Sequence, residues 1–115
     1  MVSKRAFRVG DRIREEISDL LIRKIRDPRI GFLTITTVEM SRDLRHAKVF
    51  FSTLGTEEER QQALIGLRSA TGFIKRELGE RLQLRYMPEI VFHFDSSLEY
   101  GSRISKMIDE VNREE

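Results

Sequence analysis

The stretch Thr56–Leu82, TEEERQQALIGLRSATGFIKRELGERL, constrains the fold more than any other part of the chain. Thr56 stands three residues before Glu59, the spacing at which each side chain satisfies the other's orphan backbone donor, so a helix is expected to start at about Glu57. Leu64, Leu67, Ile74, Leu78 and Leu82 recur three, four or seven apart and keep one apolar face over the whole run, so both halves face one core. Between Leu67 and Ile74 lies Ser69-Ala70-Thr71-Gly72, a run of small residues ending in a glycine that costs about 1 kcal/mol in a helix interior. The spacing predicts a bend there, with two helical halves in place of a straight rod.

Arg68, Gly72 and Lys75 fall at i, i+4 and i+7, with Arg76 one step round, so cations bracket the predicted bend. A bare helix N-terminus beginning near Gly72 would present backbone N–H groups, and a glycine lets a phosphate approach them closely. The same glycine is equally expected where two packed helices crowd each other, and this stretch alone does not choose between the two.

At 115 residues the chain is expected to form one domain over residues 1–115, with an ordered core from about 5 to 112. Net charge is only +2, but residues 1–55 carry +5 and residues 56–115 carry −3, so the first half is the basic one. That polarity and a pI of about 9.2 fit a polyanion partner bound on one face, not a strong non-specific nucleic-acid binder. With no cysteine, disulfides, thiolate chemistry and Cys-ligated zinc are excluded. The start, MVSKRAFRVGDR, has early cations without an apolar core of signal-peptide length, and no later run approaches a membrane span. A soluble cytoplasmic protein is expected.

From about Phe7 to Arg26, Val9, Ile13, Ile17, Leu20, Leu21 and Ile25 follow the helical period, and Asp27-Pro28 is expected to end the helix. Arg12 with Glu16 and Asp19 with Arg23 are i,i+4 pairs, so the cations in the middle of this helix read as ordinary helix support. Lys4, Arg5 and Arg8 stand ahead of most of those acids and are the better candidates for a polyanion. Phe32–Met40 and Arg45–Thr53 read as strands joined by Ser41-Arg42-Asp43-Leu44 into an antiparallel hairpin. Arg42, Arg45, His46 and Lys48 cluster around it with only Asp43 opposing them; the cluster suits RNA, and equally a charged outer face that resists aggregation. Arg85-Tyr86-Met87-Pro88 reads as a turn, Glu89–Asp95 as a third strand, and Ser96-Ser97 with Glu99 as the cap of a last helix carrying Leu98, Gly101, Ile104, Ile108 and Val111. The predicted order is α-β-β-α-bend-α-β-α, an α+β fold.

Chemistry is sparse. His46 and His93 read as strand residues with no nucleophile motif beside them, and no phosphate-cradling glycine loop, HExxH or calcium-loop spacing occurs. Asp95 and Glu99 are explained by helix capping without a metal. The sequence implies no catalytic residue, cofactor or small-molecule substrate.

With this order of elements, AKVFFSTLGT, SATGFIKRELGERL, PEIVFHFDSSLEYGSRI and IRDPRIGFLTITTVEMSRDLRHAKV resemble the ribosome-binding factor A family over about residues 5–110. The resemblance implies a single type II K-homology-like domain, a three-stranded mixed sheet backed by helices, in which a helix-kink-helix replaces the usual GxxG loop. Ala70-Thr71-Gly72 matches the family's Ala-x-Gly signature, and GxxG is absent throughout. It further implies a monomeric, non-enzymatic factor that binds the small (30S) ribosomal subunit, assists late assembly and 16S rRNA end processing, and is associated with growth in the cold. The expected RNA-binding residues are Lys4, Arg5, Arg8, Arg42, Arg45, Lys48, Arg68, Gly72, Lys75 and Arg76. These are phosphate contacts, since the sequence shows no tryptophan and no obvious stacking platform. A general RNA chaperone and a protein-interaction module are the alternatives, separable by preference for ribosomal particles and by salt dependence.

Overall fold

Residues 3–97 are described by the structure, a computed structural model; the expected last helix from Leu98 onward lies outside them. Two helices and three strands follow in the order α1 (Lys4–Arg23), β1 (Leu33–Met40), β2 (His46–Thr53), α2 (Glu57–Arg81) and β3 (Glu89–Phe94). The sheet order is β1-β2-β3, with β2 antiparallel to β1 and parallel to β3, so the sheet is mixed and the fold α+β. The short Ser41–Arg45 turn permits the antiparallel pair, whereas the parallel pair needs a crossover, which α2 supplies.

Helix α1 begins and ends three residues before its predicted limits. The Ser3 side chain accepts from the Ala6 N–H at 3.1 Å and starts the helix early, and Lys24 closes it with its N–H on the Leu20 carbonyl, ahead of Asp27-Pro28. Its buried face is Ala6, Gly10, Ile13, Ile17 and Leu20, laid on β1. At Gly10 the contact is so close that a Cβ would stand 2.6 Å from the Val38 carbonyl oxygen. The capping box at Thr56 and Glu59 forms as read from their spacing, and α2 buries Ala63, Gly66, Leu67, Ile74 and Leu78, with Leu64 only half-buried.

The helix does not end at the predicted bend: α2 continues as one helical segment of 25 residues through Ser69–Gly72. Within it, Thr71 Oγ1 donates to the Leu67 carbonyl at 3.1 Å, a back-bond that loosens and bends a helix without ending it. The apolar face of α2 is continuous across the small residues, and burying that face outweighs the local cost of one glycine.

On β2, Ala47, Val49 and Phe51 are buried and alternate with exposed or half-buried His46, Lys48 and Phe50, as the period-two pattern requires. Strand β1 departs from that period: Ile35, Val38 and Met40 are buried because a β-bulge lies between Ile35 and Thr37. The extra residue, Thr36, donates its hydroxyl to Asp95 Oδ2 at 2.6 Å, tying β1 to the end of β3. Asp95 Oδ1 in turn accepts from the Ser97 N–H and hydroxyl, and these bonds hold the carboxyl below its ordinary pKa. Among the described residues no helix is long and apolar enough to cross a membrane.

Candidate nucleic-acid interface

The sheet directions divide the molecule into two ends. The start of α1, the β1–β2 turn and the α2–β3 loop share one; the α1–β1 and β2–α2 loops share the other. Cations are sorted between those that meet acids and those that do not. Arg81 reaches from α2 to Glu16 at 2.9 Å and Asp19 at 2.8 Å, Lys24 meets Glu77 at 2.9 Å, and Arg29 folds back on Asp27 at 2.7 Å. The first of these displaces the expected Arg12–Glu16 pair, while the expected Asp19–Arg23 pair forms at 2.6 Å. Arg81, then Arg23, hold the Asp19 carboxyl below its ordinary pKa.

Of the expected RNA contacts, Lys75 is the least free: its Nζ lies 3.2 Å from Glu89 Oε1 at the start of β3. Arg68, Gly72 and Arg76 are exposed on the same helix, and the two arginines have no ion pair among the described residues. Because α2 does not restart at Gly72, no helix N-terminus opens there and the expected cradle of backbone N–H groups is absent. The crowding explanation also finds no support, since beyond its own stretch of helix backbone and chain neighbours no described heavy atom lies within 4 Å of a Cβ built at Gly72. Ala70 and Thr71 are half-buried on the side toward the core.

Lys48 projects from the outer sheet face opposite Glu39. Lys4 and Arg8 are exposed on the first turns of α1, without an ion pair among the described residues. Arg5 and Arg42, remote in sequence, line one cleft of about 290 Å³ together with Ser3, Leu44, Gln83, Arg85 and Tyr86. Arg45 stands beside it with its guanidinium 4.6 Å from the centre of the Tyr86 ring, and Arg85 lies 5.4 Å from the same ring.

Asp43, the sole acid lining this cleft among the described residues, is engaged in the turn. Its Oδ1 accepts from the Ser41 hydroxyl at 2.6 Å and the Arg45 N–H at 3.1 Å, which keeps the carboxyl ionised below its ordinary pKa. Sequence reading thus missed Arg85 and Tyr86, which it took only as a turn. An arginine–tyrosine dipeptide in the loop just before β3 was the signal available, and Tyr86 is half exposed with the Arg45 and Arg85 guanidiniums over its ring. His46 and His93 lie exposed on the outer sheet face, His93 against Phe50 with ring centres 5.6 Å apart, and neither joins a catalytic constellation among the described residues.

Comparison with known proteins agrees with this architecture. The family described as ribosome-binding factor A matches residues 5–108. A ribosome-binding factor A of Halothermothrix orenii is 50% identical over 115 residues, spanning 100% of this chain and 94% of that one. Among solved structures, a Thermotoga maritima protein provisionally assigned as a ribosome binding factor A superposes with a TM-score of 0.71 at 36% identity, over 78% of this chain and 86% of that one. A Thermus thermophilus ribosome binding factor A, a homology model fitted into the electron cryo-microscopy map of a complex with the 30S subunit, superposes with a TM-score of 0.66 over 79% of this chain and 96% of that one. At 22% identity it bears on the fold alone. On the full-length identity and the family match, this chain belongs to the ribosome-binding factor A family.

Proposed function

We propose that this chain, as a single cytoplasmic domain of K-homology-like architecture, binds the small ribosomal subunit and assists late assembly and 16S rRNA end processing without catalysis. The observation that carries the reading is full-length membership of a family whose name is its binding activity. The charge distribution supports it: among the described residues, cations without a salt bridge are numerous on α1, the β1–β2 turn, the α2–β3 loop and the exposed side of α2, a surface suited to phosphates of folded rRNA. A factor of this kind shifts an rRNA folding equilibrium by binding one state more tightly than the other, so no nucleotide hydrolysis is needed.

Cosedimentation with mature and immature small subunits at two salt concentrations tests the reading. Binding should fall with salt, because each neutralised phosphate releases counterions. An Arg68→Ala/Lys75→Ala/Arg76→Ala variant measures the share carried by α2. Failure to bind either particle refutes the ribosomal reading; equal binding to unrelated free RNA makes the protein a general RNA chaperone; binding insensitive to salt makes it a protein-interaction module.

A further inference from the structure

We infer that the cleft between the start of α1, the β1–β2 turn and the α2–β3 loop seats a phosphodiester group of an RNA strand, gripped by Arg5, Arg42 and Arg85. The inference rests on the RNA-binding reading above and extends it to a site built by tertiary structure, with Arg85 and Tyr86 as new members.

Three guanidinium side chains from separate elements line one recess of about 290 Å³, near the lower limit of ligand pockets and suited to a phosphate with its sugar. None of the three has an ion pair among the described residues. A guanidinium presents a planar fork of donors that matches phosphate oxygens two at a time, and Arg holds this geometry where Lys offers only a point charge. Asp43 offsets one of these three charges and pairs directly with none of them, because its Oδ1 is bonded within the turn to the Ser41 hydroxyl and the Arg45 N–H, so the described lining keeps a net positive charge.

The turn that carries Arg42 is fixed. Leu44 has φ 62°, a left-handed conformation that strains a non-glycine residue and persists only where the surroundings over-determine it. Here they do: Leu44 N–H bonds to the Ser41 carbonyl at 3.0 Å, Ser41 N–H to the His46 carbonyl at 2.9 Å, and His46 N–H to Ser41 Oγ at 3.0 Å. On the opposite wall the Tyr86 ring attracts the Arg85 guanidinium at 5.4 Å, which restrains that side chain before any ligand arrives. Helix α1 adds the positive end of its dipole, with no acidic residue in its first turn to cancel it.

The test measures small-subunit binding by the full chain across a salt series, for the native protein, Arg42→Ala/Arg85→Ala and Arg68→Ala/Arg76→Ala. The cleft variant should bind at least about tenfold more weakly, with the slope of log K against log salt flattened by about 1 for a single phosphate lost. Arg42→Lys/Arg85→Lys should recover the slope but only part of the affinity. Unchanged affinity and slope in the cleft variant overturn the inference. If Arg68→Ala/Arg76→Ala alone then weakens binding, the RNA reading stands with its contact on α2; if the native chain does not bind, both fall. Weakened binding at unchanged slope also overturns it, in favour of a ribosomal-protein contact.

Nitrogen-15 spectra of the native chain, which need no variant, supply the second measurement. A ten-nucleotide oligouridylate should shift the Arg5, Arg42 and Arg85 Nε–Hε resonances more than inorganic phosphate does at equal concentration. Shifts confined to Arg68 and Arg76 refute the cleft, and equal shifts with inorganic phosphate reduce it to a simple anion site.

Discussion

Replacing Gly72 with alanine separates two roles that glycine could have in α2. Gly72 lies inside an uninterrupted helix, is exposed, and beyond its own stretch of helix backbone and chain neighbours offers a new Cβ no described heavy atom within 4 Å. No clash with or burial against the described residues enters the balance, so the expected effect is the backbone one. Glycine in a helix interior is about 0.5–1 kcal/mol less stable than alanine, so Gly72→Ala should stabilise the fold by that amount. For a domain of this size the gain corresponds to a rise of roughly 2–6 °C in Tm. Urea unfolding followed by circular dichroism reads the same free energy as a later midpoint at constant slope. A loss of stability beyond about 0.5 kcal/mol, the scatter of ordinary surface substitutions, would refute the open-helix reasoning. Subunit binding by the same variant then reports on function. If rRNA comes close to the backbone at Gly72, affinity drops while stability rises; unchanged affinity removes Gly72 from the interface.

Gly10→Ala should behave in the opposite sense. Its Cβ meets the Val38 carbonyl oxygen at 2.6 Å, and a backbone atom cannot rotate away, so an overpacking cost of about 1–3 kcal/mol should exceed the helix-propensity gain and lower the urea midpoint. Ile74→Ala, at a fully buried position, should cost about 2–5 kcal/mol in the same assay; a change within 0.5 kcal/mol would contradict the core assignment. Asp19 has a folded pKa below its ordinary 3.8, held first by Arg81, so its contribution is present above that ordinary value and is lost as pH falls through the lowered one. Stability should therefore decline below about pH 5, and Arg81→Ala should shift the Asp19 carboxyl titration upward in carbon-13 spectra and flatten that decline.

The elements were legible because their signals are local. Thr56 and Glu59 are three residues apart, and Ala47, Val49 and Phe51 alternate along one strand, so each pattern carries its own geometry. The bulge at Thr36 was less visible: threonines flanked by Ile35 and Val38 fit either face of a strand, and the register is settled by the hydroxyl's bond to Asp95, 59 residues away. At Gly72 a local propensity cost pointed to a bend and a fresh helix start, whereas Leu67, Ile74 and Leu78 bury one continuous face and carry the helix through without a restart.

Candidate binding residues were harder still, because a cation is available to a ligand only if no acid reaches it, and acids arrive by tertiary packing. Arg81 looked like an ordinary helix-end cation until α1 brought Glu16 and Asp19, 65 and 62 residues away in sequence, within 2.9 Å and 2.8 Å. Lys75 stood in the predicted phosphate stripe until β3 delivered Glu89 to it at 3.2 Å. The same packing leaves Arg5, Arg42 and Arg85 around one cleft and turns the nearby carboxylate of Asp43 into part of the hairpin. A basic surface in this fold is thus defined less by where lysines and arginines occur than by which of them the fold leaves without acids. That rule predicts a larger effect on subunit binding from Arg42 and Arg85 than from Lys75, although all three carry the same charge.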